Sequence, residues 1–448
     1  MATKRLQFTD WLPDQPANAG SLNDAKNVYP VGIGYGAFPS AVDFSNAASE
    51  DISNIFVAKF GANVEVFAGG ATKLFKLDIA TLNLNDVSKS GGYGGNGTWR
   101  FEQFGNVVLA CNDTQKIQAW TIGSSTAFAD VASTAPIAKD IAVVRDFVFA
   151  GNIGTGTNPD KVQWSDINDE TDWTSGATSQ SDFQIIPDGG NVQAITGGEF
   201  GVILLEKSVV RASYVGSPLF FQFDTISSGL GCLEGNSVAR YGNISFFLSD
   251  DGWYSTDGQT VTNIGLEKID RWFFSRVDLT QINTMSAAVD PVKNLVVWNY
   301  ADVDGNRRIL IYNWQLGKWS RAETTSDVVG TIATLGETLE TLVSSLGYTD
   351  IDTMPASLDS RLFIGGKFLF AGAKGTKIVV FTGTSITPQL ITTDIEIGYN
   401  SVATLARPQI DNGTAQVAVA SRRELDDNIE FSSFVPATSE GRCNLRSA

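Results

Sequence analysis

One pattern recurs along this chain and limits what it can fold into. Two β-rich runs flank a short turn of Gly, Asn or Asp, and the arrangement appears seven times. The segments are VEVFAGGATKLFKLD from Val64, VVLACNDTQKIQAW from Val107, DFVFAGNIGTGTNPDKVQWSD from Asp146 and GVILLEKSVVRASY from Gly201. FLSDDGWYSTDG from Phe247, LVVWNYADVDGNRRILIYNW from Leu295 and FLFAGAKGTKIVVFTG from Phe368 complete the set. Each reads as a β-hairpin, because the turn residues tolerate left-handed backbone or form side-chain-to-backbone turns. The turns centre near residues 69, 112, 152, 206, 251, 304 and 373, with gaps of 43, 40, 54, 45, 53 and 69. A period of roughly 40 to 50 residues is that of a propeller blade, a four-stranded antiparallel sheet. Helical solenoids share such periods, but amphipathic helical patterns are nearly absent. The expected fold is all-β, a six- or seven-bladed propeller over residues 49–385, with Asp250, Asp251 and Gly252 as a turn.

Three segments depart from the repeat. Residues 1–48 are rich in Pro, Asn, Gly and Ala and read as an extended arm. Within it Trp11, Pro13 and Tyr29 are apolar yet follow no blade pattern, so they need a partner surface. Residues 386–448 alternate like strands and are expected to form a small β-sandwich platform, against which the arm would pack. Removal of residues 1–30 is expected to leave a folded propeller. In residues 334–360, Leu339, Leu342 and Leu346 recur at helical spacing before a Pro-containing break, predicting a short inserted helix. That helix is either a cap on the propeller or an interface element.

Composition excludes several chemistries. The chain of 448 residues has no histidine, which removes Ser-His-Asp and Cys-His catalysis and His-ligated zinc. Cys111, Cys232 and Cys443 are isolated and odd in number, suggesting neither a metal site nor a disulfide framework. The 32 Lys and Arg against 49 Asp and Glu give a net charge of −17, which opposes tight phosphate-driven DNA binding. No apolar run approaches the roughly 20 residues of a membrane span, and MATKRLQFTDWLPD lacks the apolar stretch of a signal peptide. A soluble protein made in a reducing cytoplasm is expected.

Individual motifs add little chemistry. GIGYGA at 32–37 has the form of a dinucleotide loop, but Pro30 and Pro39 bracket it where a strand and a helix are required. DVDGN at 302–306 places its glycine fourth, where a calcium loop needs it sixth, so it reads as a hairpin turn. SDDGW is similar to the Asp-box turns of sialidase propellers but lacks the residue between aspartate and glycine. Paired carboxylates could hydrolyse glycosides without histidine, yet nothing singles out a pair. No catalytic, cofactor-binding or metal-binding residue is assigned, and no cofactor is expected. Trp164 and Trp173, flanking WSDINDETDW, are either blade-edge packing or aromatic anchors for a neighbouring subunit.

DWLPD with NVYP, WSDINDETDW, SVARYGNISFFLSDDGWYSTDGQTVTNIG, SLDSRLFIGG and the strand-rich tail after TTDIEIG together resemble a known family. It comprises the nozzle proteins of short-tailed bacteriophages, also called tail tubular protein B, related to packaged-DNA stabilisation proteins. The resemblance spans most of the chain. It implies a structural virion protein with a propeller body and a smaller platform, without catalytic residues. It further implies a homohexameric ring at the distal end of a short tail, docked to a tail adaptor protein and to tail fibres or spikes. Viral DNA would be retained by the ring and would leave through its lumen at infection without tight binding, with no membrane insertion by the protein itself. The other reading is a carbohydrate-binding or hydrolysing propeller of a phage tail, and a third is a cellular propeller scaffold. Oligomeric state separates the nozzle from both.

Overall fold

A computed structural model describes residues 4–61, 63–95, 98–333, 368–396, 403–422 and 427–445. The chain divides into two compact units, Met1–Thr393 and Asp394–Ala448.

The first unit is a seven-bladed propeller. Blades one to five are four-stranded meanders spanning residues 54–86, 100–130, 138–185, 192–228 and 239–263. Blade six (286–323) gains two further strands beyond its outer edge. Blade seven joins Val328–Ala333, Phe368–Lys374 and Lys377–Ser385 to Pro39–Asp43, a strand from the opposite end of the unit. The first strand of each blade lies innermost, against the first strands or adjoining turns of its neighbours around the ring. All seven hairpins read from the sequence join the second and third strands of a blade.

Packing explains the closure. Among the described residues the core separates into seven apolar clusters, each shared by two successive blades. Ile55 and Val66 of blade one meet Val328 and Ile332 of blade seven in one of them, so the ring has no open interface. Both faces of every sheet are thereby covered, and second strands such as Phe147–Ile153 and Leu295–Ala301 are buried along their whole length. Full burial of each such Val, Leu, Ile or Phe is worth roughly 1.5–3 kcal/mol.

The arm belongs to this unit, and the boundary expected at residues 385/386 falls instead at Thr393. Leu22–Lys26 runs parallel to the outer strand of blade six and antiparallel to Gln389–Thr392. Arg321 grips Asp24 through two bonds of 2.7 Å. An outer blade edge carries unpaired backbone groups, and an extended arm satisfies them. Val28–Val31 and Gly34–Ala37 form a hairpin, so GIGYGA is a turn region. A Cβ at Gly36 would come within 2.7 Å of the Tyr29 ring opposite, so a larger residue there would displace that ring.

In the second unit two short ladders are described, Leu405–Ala406 with Cys443–Asn444 and Gln416–Val417 with Val435–Pro436. Phe431 and Phe434 stay exposed. The predicted helix of residues 334–360, with Leu339, Leu342 and Leu346, lies outside the described residues.

Candidate functional site

The SDDG turn that joins Ile244–Leu248 to Trp253–Thr256 is closed by Ser249 N–H donating to the Gly252 carbonyl at 2.8 Å. Asp251 accepts from the Tyr254 hydroxyl at 2.9 Å. DVDGN is likewise a turn, with Gly305 N–H on the Asp302 carbonyl at 2.8 Å. These aspartates shape bends. Among the described residues no group of three His, Cys, Asp or Glu is placed to hold a metal ion. The three cysteines are buried and free.

The sequence candidates fall mainly inside the molecule. Trp164 and Trp173 are 2 % and 3 % exposed, and their indole N–H groups donate to the Gln180 and Glu170 carbonyls at 2.8 Å. Bonds from Ile167 N–H and Gln180 N–H to the Asp166 carboxylate knit the stretch between them into a compact turn. Both tryptophans are therefore core residues of this chain. Trp11 is fully buried in the cluster of blades five and six. Pro13 is partly buried beside it. Tyr29 is half-buried, with the Lys293 ammonium 4.5 Å above its ring. These three hold the arm to the propeller.

Sequence reasoning missed the charged cluster at the propeller axis. Glu102 sits on the inner strand of blade two, and Arg240 on that of blade five. Two blades separate them on one side and three on the other, and each influences the other electrostatically. Burial pushes the Glu102 carboxyl up to about 7; the Gln103 N–H and Arg240 pull it down, and Asp140 pushes it further up. Burial also lowers the Arg240 guanidinium, against the pull of Glu102.

Neighbouring charges tie adjacent inner strands together. Arg100 of blade two faces Asp140 of blade three at 3.8 Å. Asp140 accepts the Ile195 N–H of blade four at 2.6 Å, and its carboxyl is raised, chiefly by burial. Lys139 reaches Gln193 at 2.9 Å, and Gln193 reaches Glu206 at 3.2 Å. The arrangement staples blades two to four along their inner strands. No short motif carries it, because the residues are single charges on strands far apart in sequence.

A surface depression lies elsewhere, lined by Thr72, Lys73, Asp86, Ser88, Lys89 and Tyr93. Its two lysines are bound to carboxylates, Lys73 to Asp86 and Lys89 to Asp130, each at 2.9 Å.

The sequence matches no family model and no curated protein. Among solved structures, the computationally designed Ika8 protein is similar at 14 % identity and TM-score 0.40, over 77 % of this chain and 99 % of its own. The WD40 domain of Pan2 from Neurospora crassa is 7 % identical with TM-score 0.42, over 75 % and 90 %. A putative 6-phosphogluconolactonase from Bacteroides uniformis is 15 % identical with TM-score 0.41, over 63 % and 87 %. Likenesses this remote carry no argument about function.

Proposed function

We propose that this chain is a structural component of a short phage tail, forming the ring-shaped distal nozzle that retains packaged DNA and lets it exit. The reading starts from the sequence resemblance. The observation that carries it furthest is that segments of that resemblance, distant in sequence, meet at one joint. Trp11 and Asp14 of DWLPD dock on the helix Asp270–Phe274, which lies one strand beyond SDDGWYSTDG, and Trp11 shares a core cluster with Trp253. Chance motif matches would have no reason to pack together.

Two further features favour the reading. A propeller unit is followed by a separate small β unit, as the resemblance implies. The net charge of −17 suits a wall past which phosphates slide without sticking. In this role the chain would assemble as a homohexamer on a tail adaptor and carry fibres or spikes. DNA would pass along the axis of the ring of subunits.

Electron microscopy and mass measurement of the purified protein and of particles carrying it test the proposal. A six-fold ring at the distal end of a short tail is the expected result. A monomer that binds or cleaves oligosaccharides would replace the nozzle reading with the glycan-directed one.

A further inference from the structure

The joint between the arm and blade five holds a carboxyl group in an unusual setting. Asp270 opens the helix Asp270–Phe274 and is only 5 % exposed. Its Oδ1 accepts the Trp253 N–H at 3.1 Å, whereas its Oδ2 is buried with no partner in good hydrogen-bond geometry, although the Asn263 amide acts on the carboxyl. It is wedged against the backbones of Gly252 and Gly265. A Cβ would lie 2.3 Å from Oδ2 at the first and 1.9 Å from Oδ1 at the second. A buried carboxylate oxygen left unpaired is costly when charged and tolerable when protonated.

The arm is clamped to the same helix. Asp14 accepts from Arg271 N–H at 2.9 Å and from Trp272 N–H at 2.8 Å. Its own N–H donates to the Lys268 carbonyl at 3.1 Å, and Gln15 Nε2 donates to the Glu267 carbonyl at 2.8 Å. Trp11 stands edge-on to Trp272 with ring centroids 4.8 Å apart. Asp14 from the arm and Asp251 from the SDDG turn both act electrostatically on Asp270.

We propose that this joint is a proton-linked clasp on the N-terminal arm. With Asp270 neutral, Asp14 seats against the helix. With Asp270 ionised, its buried carboxylate faces the negative charges of Asp14 and of the exposed Asp251, and the anchor formed by residues 10–15 loosens. The cations nearby do not relieve this. Lys268 is turned to the Gly317 carbonyl at 3.2 Å, and Arg271 to the Asp14 carbonyl at 3.4 Å.

The direction of the pH effect follows from the groups that face Asp270. Burial raises it most; the Trp253 N–H and the Asn263 amide lower it; Asp14 and Asp251 raise it, and the result is about 6. Release of the arm removes Asp14 and admits water, so the released state holds the proton less tightly. Seating is therefore favoured below about pH 6 and weakens as pH rises through it. The clasp is independent of the nozzle reading, since it concerns only how this chain holds its own arm.

Hydrogen exchange on the full chain from pH 5 to 8, corrected for the intrinsic pH dependence of exchange, tests the clasp. Protection of amides in residues 10–26 should fall about tenfold as pH rises through the transition, while Phe147–Ile153 in blade three stays protected. Asp270→Asn should keep the arm protected at every pH, and Asp251→Asn should move the wild-type transition downward in pH, because it removes a charge that raises the Asp270 carboxyl. Wild-type protection that is flat with pH, or an unchanged profile in both variants, would overturn the proposal.

Discussion

Glu102 shows how a single side chain on an inner strand can store electrostatic free energy. In the unfolded chain it titrates as an ordinary carboxyl, near 4.5, whereas in the propeller burial carries it to about 7. A raised carboxyl binds its proton more tightly in the folded state, so the associated stability is present below about 4.5 and is lost as pH rises through about 7. The full shift corresponds to about 3 kcal/mol at higher pH. Glu102→Gln keeps the shape and removes the charge. It should raise the melting temperature by a few degrees at pH 8, with little change at pH 4.5, in thermal unfolding followed by circular dichroism. A variant destabilised at pH 8 would mean that attraction to Arg240 outweighs the cost of burial.

Trp11 marks the other kind of residue that the sequence left ambiguous. Its apolar character announced a need for a partner surface, but no local pattern names a surface formed by blades five and six. Fully buried, with its N–H donating to the Asn23 carbonyl at 3.1 Å, it acts as core. Trp11→Ala should cost roughly 3–5 kcal/mol, read as a shift in the denaturant midpoint at unchanged slope.

At the scale of strands and blades, the sequence was most readable where structure is local. Each second-to-third-strand hairpin carries its own alternation and turn residues, so all seven could be found from neighbours in the chain. The inner and outer strands were less readable, because many are short and lack a clear alternation, and the outermost strands of blades six and seven come from the far end of the unit. Pro39–Asp43 as the outer strand of blade seven is the clearest case: SAV beside prolines has no strand signature of its own. Its pairing with Lys377–Ser385 nevertheless closes the ring, with Val42 opposite Val380 and Ala41 opposite Phe381.

That closure makes the arm a structural element, and it alters the expectation that residues 1–30 are dispensable for folding. Their removal takes out Trp11, Leu22, Ala25 and Val28 from one core cluster. Deletion of residues 1–43 should go further and leave blade seven without its outer strand. The truncated protein should unfold at lower temperature and less cooperatively, and a synthetic peptide spanning residues 20–45 should restore the transition when added in excess. A truncated chain that melts like the full one would show that the ring closes without the arm.

For the whole molecule, charge is the property that bears most directly on the proposed conduit. A net charge of −17 per chain becomes a large negative field when copies surround a common lumen. Many of the cations are already committed within the chain: Lys73, Lys89, Lys377 and Arg321 each contact a carboxylate at 2.9 Å or less. Cations so engaged have their charge partly neutralised and attract phosphate less. DNA leaving through such a ring would release few counterions to the wall and meet few sites at which to pause. The isolated protein is therefore expected to bind duplex DNA weakly at physiological salt, with a dissociation constant above the micromolar range and only a shallow dependence on salt. Fluorescence anisotropy with a labelled duplex at several salt concentrations measures both quantities. A sub-micromolar affinity that falls steeply with salt would reveal a basic track, and the smooth-walled conduit would then give way to one that grips its DNA.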